Sequence, residues 1–508
     1  MNKRGSSLAL LLICIYVLFS HLYFILRYAG RWMEGDTSRM TKFAQVVQDQ
    51  ATIFPTGLIY GNGPGHPTIM VVLSDLSGIS VLTLQTYVLP IFGVVIAVLS
   101  YIAFLELTDS KKIALLSAFL LSLQPDFLFT TSRGTHEKFT YSMVLLSMFF
   151  LSRSFSRRGN VKEFMYYILL FYISILGMIS YNFFFAATYI FAVTVAFIIG
   201  YLISEIPQVS ASLKRLAYTS ATSTIFFFSY MFYLYTPSRS LLYTFDTLQE
   251  KASALLLATE HHVTPQYAYI FQTWVSFKAW FILTLFNWVI APLSFAAWAY
   301  LVYKFFWKKQ RLSSPMLLLL MFYLAFSIQL LITILADRFG VFYNLELRVF
   351  PVLMFFAVPL ASMSIIDIIS HHRLNERQRK VIKTIFAALI LVFAAASLLK
   401  ATNDPVASNN WMFYTTQEKK SIDWIGANHG GECVWMDTDE RLMTVFTHFS
   451  DIDTFNKGKF TGPDEAEFYL ISNIIEKRAN IVRYPMPYVD DLPIIYDSGD
   501  VRIYKKRG

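Results

Sequence analysis

The sequence is poor in cysteine and in charged residues. Its 508 residues include two cysteines, Cys14 in an apolar run and Cys433 in a more polar region. Neither a disulfide framework nor a cysteine-based metal site is therefore expected. Charged residues make up 15%, whereas hydrophobic residues reach 55% and aromatic residues 17%. Soluble chains carry about 25% charge. The low content of charged residues, with the high content of hydrophobic ones, excludes a disordered chain, a coiled coil and an ordinary soluble enzyme. It indicates a polytopic membrane protein.

Acidic residues are scarcest in the first four fifths of the chain. Residues 1–399 contain 30 basic and 17 acidic residues, whereas residues 400–508 contain 13 and 17. This contrast predicts two domains: a transmembrane module over 1–399 and a soluble extracytoplasmic α/β domain over 400–508. The basic residues stand in short clusters between apolar runs, so the expected partner is membrane lipid and not nucleic acid.

Apolar runs long enough to cross the hydrocarbon core of a bilayer recur through the first domain. About eleven helices are predicted, at 7–27, 82–107, 112–130, 139–153, 163–181, 183–203, 216–236, 279–303, 314–336, 349–369 and 382–399. If Lys3 and Arg4 are cytoplasmic, 19 of the 30 basic residues fall on the same side, as short cytoplasmic segments require. The chain is thus predicted to be a multi-pass protein of the cell membrane, with a cytoplasmic N-terminus and an outward C-terminal domain. The first run is longer than a usual signal-peptide core, which favours an uncleaved helix.

Two loops on the predicted outer face are long, at 28–81 and 237–278. The first begins with a polar, helix-like piece (37–50). A Gly/Pro-rich stretch and an amphipathic piece (68–80) too short to cross the membrane follow. The tail mixes both kinds of secondary structure, with helices predicted at 411–428 and 465–477, a strand at 432–437 and a hairpin formed by 492–496 and 501–504.

The first candidate site is Glu34-Gly35-Asp36, just beyond the first helix. Carboxylates near membrane depth are costly and often functional. One placed here could take a proton from an acceptor hydroxyl. The alternative is that Asp36 caps the helix predicted to start at Thr37. Both interpretations remain open, and they are compatible.

The second candidate is the dense polar run between the third and fourth predicted spans. Arg133, His136, Glu137 and Lys138 fall within six residues. Arginine and lysine suit phosphate oxygens, the first through its planar fork and the second as a point charge. The alternative is a solvated turn with a local ion pair.

Three further residues are weaker candidates. Arg338 and Arg348 flank another predicted outer loop, and Arg348 stands just before Pro351 at the mouth of a span. It could bind an anionic head group or serve as an interfacial anchor. His66 ends the Gly/Pro-rich stretch, and a single histidine is a weak signal. The sequence has no zinc motif of the His-Glu-x-x-His type and no phosphate-binding loop of an ATP-driven pump.

The layout over residues 7–400 resembles the GT-C superfamily of membrane glycosyltransferases, which use lipid-linked sugars. The resemblance is carried by Glu34-Gly35-Asp36 after the first helix, the Tyr60-Gly61-Asn62-Gly63-Pro64 stretch, Arg133 with Glu137, and Arg348 before Pro351. The end of the tail looks like those of prokaryotic members, archaeal ones in particular. One departure is Trp435-Met436-Asp437. It lacks the Trp-Trp-Asp-Tyr-Gly motif of oligosaccharyltransferases, which favours transfer of a single sugar.

The resemblance implies roles for these residues. Asp36 would be the catalytic base, with Glu34 as the runner-up. Arg133 and Arg348 would hold the donor phosphate, with His136 and Lys138 as further ligands. Glu137, His66 and Arg338 would support them. The spacing of Glu34 and Asp36 would allow a divalent metal, but many members need none. No metal and no cofactor are expected.

The implied function is transfer of a sugar from a polyprenyl- or dolichyl-phosphate donor to an acceptor on the outer face. The acceptor could be a glycan, a lipid or a protein. Two alternatives remain. A transporter or flippase of lipid-linked saccharides would have similar apolar grooves without catalysis. A non-enzymatic envelope assembly protein would use the tail as its binding module.

Overall fold

The computed structural model describes most of the chain, and the described part is mainly helical. The described residues are 3–28, 35–54, 63–156, 161–229, 281–338, 345–370, 375–401, 415–428, 434–435, 466–473, 476 and 488–506. The second long loop predicted from the sequence (237–278) lies outside them.

Fourteen described helices precede the tail. In chain order they are α1 (Lys3–Tyr28), α2 (Gly35–Gln50), α3 (Gly65–Ser77), α4 (Val81–Thr108), α5 (Lys111–Ser122), α6 (Pro125–Ser132), α7 (Glu137–Ser156), α8 (Val161–Tyr181), α9 (Phe183–Leu202), α10 (Pro207–Ser229), α11 (Leu285–Phe306), α12 (Ser314–Arg338), α13 (Leu345–Ser370) and α14 (Glu376–Ala401). Eight of them are long and apolar enough to cross a membrane, namely α1, α4, α8, α9, α11, α12, α13 and α14. The chain is therefore a multi-pass membrane protein.

The number of spans differs from the eleven predicted. The predicted span 112–130 is a bent pair, α5 and α6, which meet at 68° and would make a ninth span if they cross together. Pro125 explains the bend, because it lacks the backbone N–H that a continuous helix needs, and Gln124 caps the new helix by accepting from the amide of Phe127.

The other two predicted spans, 139–153 and 216–236, fall on α7 and on α10, whose described part ends at Ser229. Over its described residues, neither helix is apolar enough to count as a span. Helix α7 carries charged residues at both ends and several serines, and α10 carries Lys214, Arg215 and a run of serine and threonine. Most side chains of α7 are buried inside the bundle.

Aromatic packing closes the core where α6, α7 and α13 meet. Phe127 stacks on Tyr141 with ring centroids 5.4 Å apart, and both rings pack edge-on against Phe355. Tyr141 follows Glu137 by one helical turn, and Phe355 follows Arg348 by two turns. A residue in the N-terminal half of α13 therefore contacts the second turn of α7.

The described parts of the first long loop form two helices: α2, which covers the predicted helix-like piece, and α3, which covers most of the amphipathic piece. Helices α2 and α3 pack on each other, and Gln48 donates to Asp75 over 2.8 Å. Gly63, with φ of +129°, precedes α3, and a Cβ there would lie 2.2 Å from the carbonyl oxygen of Ser180 at the end of α8. No side chain can be accommodated this close to the Ser180 carbonyl, so a glycine at position 63 allows the start of α3 to pack on α8.

The tail contains helix α15 (Thr416–Asn428) and a four-stranded sheet in the order β1-β2-β4-β3. The strands are β1 (Val434–Trp435), β2 (Phe468–Ser472), β3 (Ile494–Asp497) and β4 (Val501–Lys505). Strand β1 runs parallel to β2, and the other pairs are antiparallel. The predicted α/β character, the strand near 432–437 and the hairpin are confirmed, with Gly499 at φ +84° in the turn. The predicted division of the chain at residue 400 stays a prediction.

The predicted helix 465–477 is wrong, because its centre is strand β2. The residues Phe-Tyr-Leu-Ile-Ser of this strand are all buried, and β1 and β4 flank it. A central strand covered on both faces shows no alternation of apolar and polar residues. Periodicity therefore could not separate it from a helix.

Candidate functional site

The polar run between α6 and α7 is buried, not a solvated turn. Helix α6 ends at Ser132 and α7 begins at Glu137, so residues 133–136 form a short connection. Arg133, Thr135, His136 and Lys138 are all buried. The predicted local ion pair is present, but its burial removes the interpretation as an ordinary surface turn.

Arg133 and Glu137 form the ion pair at this connection. The guanidinium Nη2 lies 3.2 Å from the carboxylate Oε1, and the guanidinium also sits 4.5 Å from the centre of the Phe129 ring. Burial alone would raise the pKa of Glu137, but the positive charge of Arg133 beside it brings that pKa below its ordinary value. The carboxylate is therefore ionised at neutral pH.

His136 is oriented by Asn182, the N-cap residue of α9. The Asn182 side-chain oxygen accepts from the amide of Phe185, which fixes the orientation of the side-chain amide. Its Nδ2 then donates to Nε2 of His136 over 2.5 Å. The imidazole proton accordingly sits on Nδ1, which faces the Glu137 carboxylate at 3.8 Å. Asn182 was missed from the sequence, where it appeared only as part of a tight connection.

His66 joins this cluster from the first turn of α3. Its ring packs edge-on against that of His136, with centroids 6.2 Å apart, and its Nε2 lies 2.9 Å from Nε2 of Gln85. Burial lowers the pKa of His66 well below its usual range, and the nearby Lys138 lowers it further. His66 is therefore neutral at physiological pH.

Gln85 is the second residue that the sequence analysis missed. It lies in α4, within a π-helical turn formed by Leu84–Val88, and it is fully buried. The only signal in the sequence was an amide within an otherwise apolar stretch at the start of α4. Its position beside His66 depends on the π turn and on the docking of α3, and neither is visible in the sequence.

The first turn of α2 packs closely against Gly134, in the connection before α7. A Cβ at Gly134 would lie 2.4 Å from the carbonyl oxygen of Gln85 and 2.8 Å from the methyl group of Thr37. The connection between α6 and α7 is therefore pressed against both α4 and the start of α2. Asp36 directly precedes Thr37 in that turn. Helix α2 begins at Gly35, so the backbone of Asp36 lies in its first turn. The capping interpretation concerns the Asp36 side chain, which lies outside the description.

The remaining candidates are placed only in part. Glu34 lies outside the described residues. Asp36, Arg338 and Arg348 belong to described helices, but their side chains lie outside the description. The structure thus assembles Arg133, His136, Glu137, Lys138 and His66, and it places the backbone of Asp36 next to them.

Metal-binding residues do not cluster in the described part of the chain. No group of three or more histidine, cysteine, aspartate or glutamate side chains is arranged there to hold a metal ion. Glu34 and the Asp36 side chain lie outside that search, so the expectation of no metal and no cofactor stays a prediction.

Comparisons with known proteins find similarity in structure but not in sequence. No protein-family model matches the chain, and no curated protein sequence matches it. Two crystal structures of ArnT from Cupriavidus metallidurans share the fold at 10% identity, and each comparison covers 96% of this chain and 97% of that chain. The TM-score is 0.52 for the apo state and 0.53 for the complex with undecaprenyl phosphate.

A third structure is more distant. It is the Archaeoglobus fulgidus oligosaccharyltransferase in complex with Zn and sulfate, at 14% identity and a TM-score of 0.49, covering 90% of this chain and 59% of that chain. The ArnT comparisons span nearly all of both chains. The fold that the resemblance implies is thereby confirmed: this chain is a membrane protein that shares the fold of ArnT.

Proposed function

We propose that the chain is an integral-membrane glycosyltransferase. It would move a sugar from a polyprenyl- or dolichyl-phosphate donor to a glycan, lipid or protein acceptor. The observation that carries the proposal is the contact at Gly134. There, the buried basic connection before α7 lies against the first turn of α2, which bears Asp36. A carboxylate and a group of phosphate-binding cations are the two elements that this reaction needs.

The basic residues would hold the donor phosphate. Arg133, which is always protonated, and the basic side chain of Lys138 are buried, and a charge–phosphate contact is stronger in such a region than in water. The undecaprenyl phosphate bound to ArnT supports a polyprenyl-phosphate ligand for this fold. Arg348 would approach from α13, whose N-terminal half packs beside α7 through Phe355 and Tyr141. His136 would position this group through Asn182 and Glu137.

The reaction would proceed by displacement at the anomeric carbon. The acceptor hydroxyl attacks that carbon while the bond to the phosphate oxygen breaks, and the electron pair leaves with the polyprenyl phosphate. Asp36 takes the proton of the hydroxyl, with Glu34 as the alternative base. The cations stabilise the negative charge that develops on the leaving phosphate, which is usually the largest contribution to such catalysis. The site would face outward, with the N-terminus cytoplasmic and the tail extracytoplasmic.

The test compares the wild type with Asp36→Asn in proteoliposomes. The assay follows release of free polyprenyl phosphate from a panel of lipid-phosphate sugars, with a membrane extract as acceptor. Asp49→Asn is the matched control, because Asp49 is an exposed carboxylate at the far end of the same helix. We expect release by the wild type and the control, and loss of release in Asp36→Asn.

Other results would redirect the proposal. Release that persists in Asp36→Asn would move the catalytic base to Glu34. Binding of the lipid without release from any donor would favour a flippase. Function in cells that depends on residues 400–508 but not on Asp36 would favour an envelope assembly protein.

A further inference from the structure

The last turn of α6 is joined to α1 by a hydrogen bond between two buried side chains. Nε2 of His21 lies 3.1 Å from Oγ1 of Thr131, and both residues are buried. On the other side of the ring, Nδ1 of His21 lies 2.7 Å from the carbonyl oxygen of Val17, one turn earlier in α1. The contact connects residues that are 110 positions apart, and neither has a role in the reaction proposed above.

The partners of the imidazole ring fix the direction of this hydrogen bond. A carbonyl oxygen can only accept, so Nδ1 carries the proton of the neutral ring and Nε2 is an acceptor. The Thr131 hydroxyl then donates to Nε2. This hydroxyl also lies 3.0 Å from the carbonyl oxygen of Phe127 in its own helix. Giving its single proton to Phe127 would leave the lone pairs of Nε2 and Oγ1 facing each other in a buried place, which is costly.

The ring of His21 lies directly on the backbone of α4 at Gly93. A Cβ at Gly93 would lie 2.4 Å from Nε2 and 2.7 Å from Cε1 of the ring. Any side chain at position 93 would therefore push the ring away from its present place. The ring thus fills a space between α1, α4 and the last turn of α6 that is open only because residue 93 is glycine.

The same part of α1 also supports the Arg133 side chain. The ring centre of Phe129 lies 4.5 Å from the guanidinium carbon of Arg133, and Phe129 packs on a small apolar cluster at residues 24–25 of α1. Thr131 precedes Arg133 by two residues. A hydrogen bond is directional, whereas an apolar contact is not. The bond from Thr131 to His21 therefore fixes how far the last turn of α6 is rotated, and with it the point from which Arg133 extends.

We propose that His21 and Thr131 are positioning residues of the donor-phosphate site. Their hydrogen bond sets the orientation of the last turn of α6 and so the place where the Arg133 guanidinium meets the phosphate. Neither residue touches the substrate. The inference rests on the proposed glycosyltransferase function and on the role of Arg133 in it. A charged group that stabilises a leaving phosphate loses much of its effect when it is displaced by about 1 Å.

The test removes the hydroxyl and the methyl group of Thr131 separately. Thr131→Val keeps the shape of the side chain and removes the hydroxyl, whereas Thr131→Ser keeps the hydroxyl and removes the methyl group. In the release assay we expect Thr131→Val to lose roughly 10- to 100-fold in kcat/KM, as for a displaced catalytic group. Thr131→Ser should keep a kcat/KM near the wild-type value, even though the small cavity it creates lowers its melting temperature.

Thr108→Val is the matched control for loss of a buried hydroxyl. Thr108 is a buried residue at the C-terminal end of α4, and its hydroxyl donates to a carbonyl oxygen of its own helix. We expect its kcat/KM to equal that of the wild type. If Thr131→Val does not fold, Gly93→Ala replaces it, because the new methyl group displaces the His21 ring from Thr131 without changing either residue. It should then reproduce the loss of activity.

A double-mutant cycle separates positioning from a general loss of stability. In the double variant Arg133→Gln, Glu137→Gln the charge to be positioned is gone, so adding Thr131→Val should leave kcat/KM unchanged. A merely structural role would reduce kcat/KM by the same factor in both backgrounds.

A second cycle tests His21 itself. The side-chain amide of His21→Asn can take the place of Nδ1 beside the Val17 carbonyl but has no atom at the position of Nε2. We expect a loss in kcat/KM similar to that of Thr131→Val. The two changes together should lose no more than either one alone, because they break the same hydrogen bond.

Three results would overturn the inference: a wild-type kcat/KM in Thr131→Val, equal losses in Thr131→Val and Thr131→Ser, or losses that multiply in the cycle with Arg133. In each case release by the wild type still supports the glycosyltransferase. Absence of release by the wild type from any donor removes that function itself, and the inference with it.

Discussion

Helix α7 has an arginine–glutamate pair at each end, and the two pairs have different surroundings. At its N-terminal end, Arg133 and Glu137 lie 3.2 Å apart, with side chains 6% and 12% exposed. At its C-terminal end, Arg153 lies 2.8 Å from Glu106 of α4, with side chains 30% and 12% exposed. The first pair joins residues four positions apart in the sequence, whereas the second joins two helices, α4 and α7.

The carboxylates of the two pairs are also satisfied differently. Both oxygens of Glu106 are engaged, one by Arg153 and the other by Ser156 over 3.1 Å. In Glu137, Oε2 has no hydrogen bond among the described residues and lies 3.8 Å from Nδ1 of His136. The segment 133–138 also contains two basic side chains, Arg133 and Lys138, and one carboxylate. One end of α7 therefore holds two helices together, whereas the other concentrates buried basic side chains within a short connection.

The comparison predicts that the two ends of α7 differ most in activity when both charges of an arginine–glutamate pair are removed. The double variant Arg133→Gln, Glu137→Gln removes both charges, so no buried carboxylate is left alone. We expect its kcat/KM for release of polyprenyl phosphate to fall by roughly 10²- to 10³-fold, the usual effect of removing one group that stabilises a developing charge. The release assay in proteoliposomes measures it.

The matched control is the double variant Arg153→Gln, Glu106→Gln. It removes the same charges from the other end of α7, where no substrate is proposed to bind. We expect its kcat/KM to stay near the wild-type value, with a lower melting temperature. Equal losses of activity in the two double variants would contradict a functional difference between the two ends.

A second prediction tests the crowding at the N-terminal end. Gly134→Ala places a methyl group within 2.4 Å of the Gln85 carbonyl oxygen and 2.8 Å of the Thr37 methyl group, so the backbone must shift. We expect a loss of about 1–3 kcal/mol in the free energy of unfolding, as for other overpacked sites. Thermal unfolding in detergent measures it.

Gly177→Ala is the control, because the nearest atom to its new methyl group is Sδ of Met143, 3.0 Å away on a flexible side chain. A glycine-to-alanine change inside a helix favours folding by up to about 1 kcal/mol. We expect a melting temperature at or above that of the wild type. A similar loss in both variants would mean that the contact at Gly134 is not specially tight.

The positions of the membrane helices and of the polar run at this site could be predicted from the sequence. Long apolar runs located the membrane helices, and the density of polar residues located Arg133 to Lys138. Residue spacing could not show that Gln85, Asn182 and Thr37 meet this segment, because those contacts join residues that are 46 to 97 positions apart. The burial of Arg133 was likewise invisible, since a charged connection between helices resembles a solvated turn.

A third prediction concerns the pH dependence of folding stability, which His66 near the N-terminal end of α7 should cause. In the unfolded chain His66 titrates near pH 6.5, whereas burial and then the nearby cations lower its pKa well below that in the folded protein. Between these two pKa values the unfolded state binds more protons. Folding stability should therefore fall as the pH drops below about 6.5, by up to roughly 1.4 kcal/mol per pH unit.

His66→Gln removes this titration, because glutamine has no ionisable group and can keep the contact with Gln85. Unfolding curves at pH 7.5, 6.5 and 5.5 should show the variant gaining stability relative to the wild type as the pH falls. Parallel behaviour of the two proteins would mean that His66 is protonated as easily in the folded state as in the unfolded state.

The smallest effect is expected for the single variant Glu106→Gln. The new amide keeps an oxygen for Arg153 and leaves a hydrogen-bonding group for Ser156, so the contact between α4 and α7 loses charge but not geometry. Because Arg153 is partly exposed, solvent screens the pair, and we expect a loss of no more than about 1 kcal/mol in unfolding free energy. Glu137→Gln should cost more, since its partner Arg133 is buried and would lose its countercharge. Melting temperatures of the two variants in the same detergent decide the order. The reverse order would place the larger loss at the C-terminal end of α7 and contradict the effect expected from the deeper burial of Arg133.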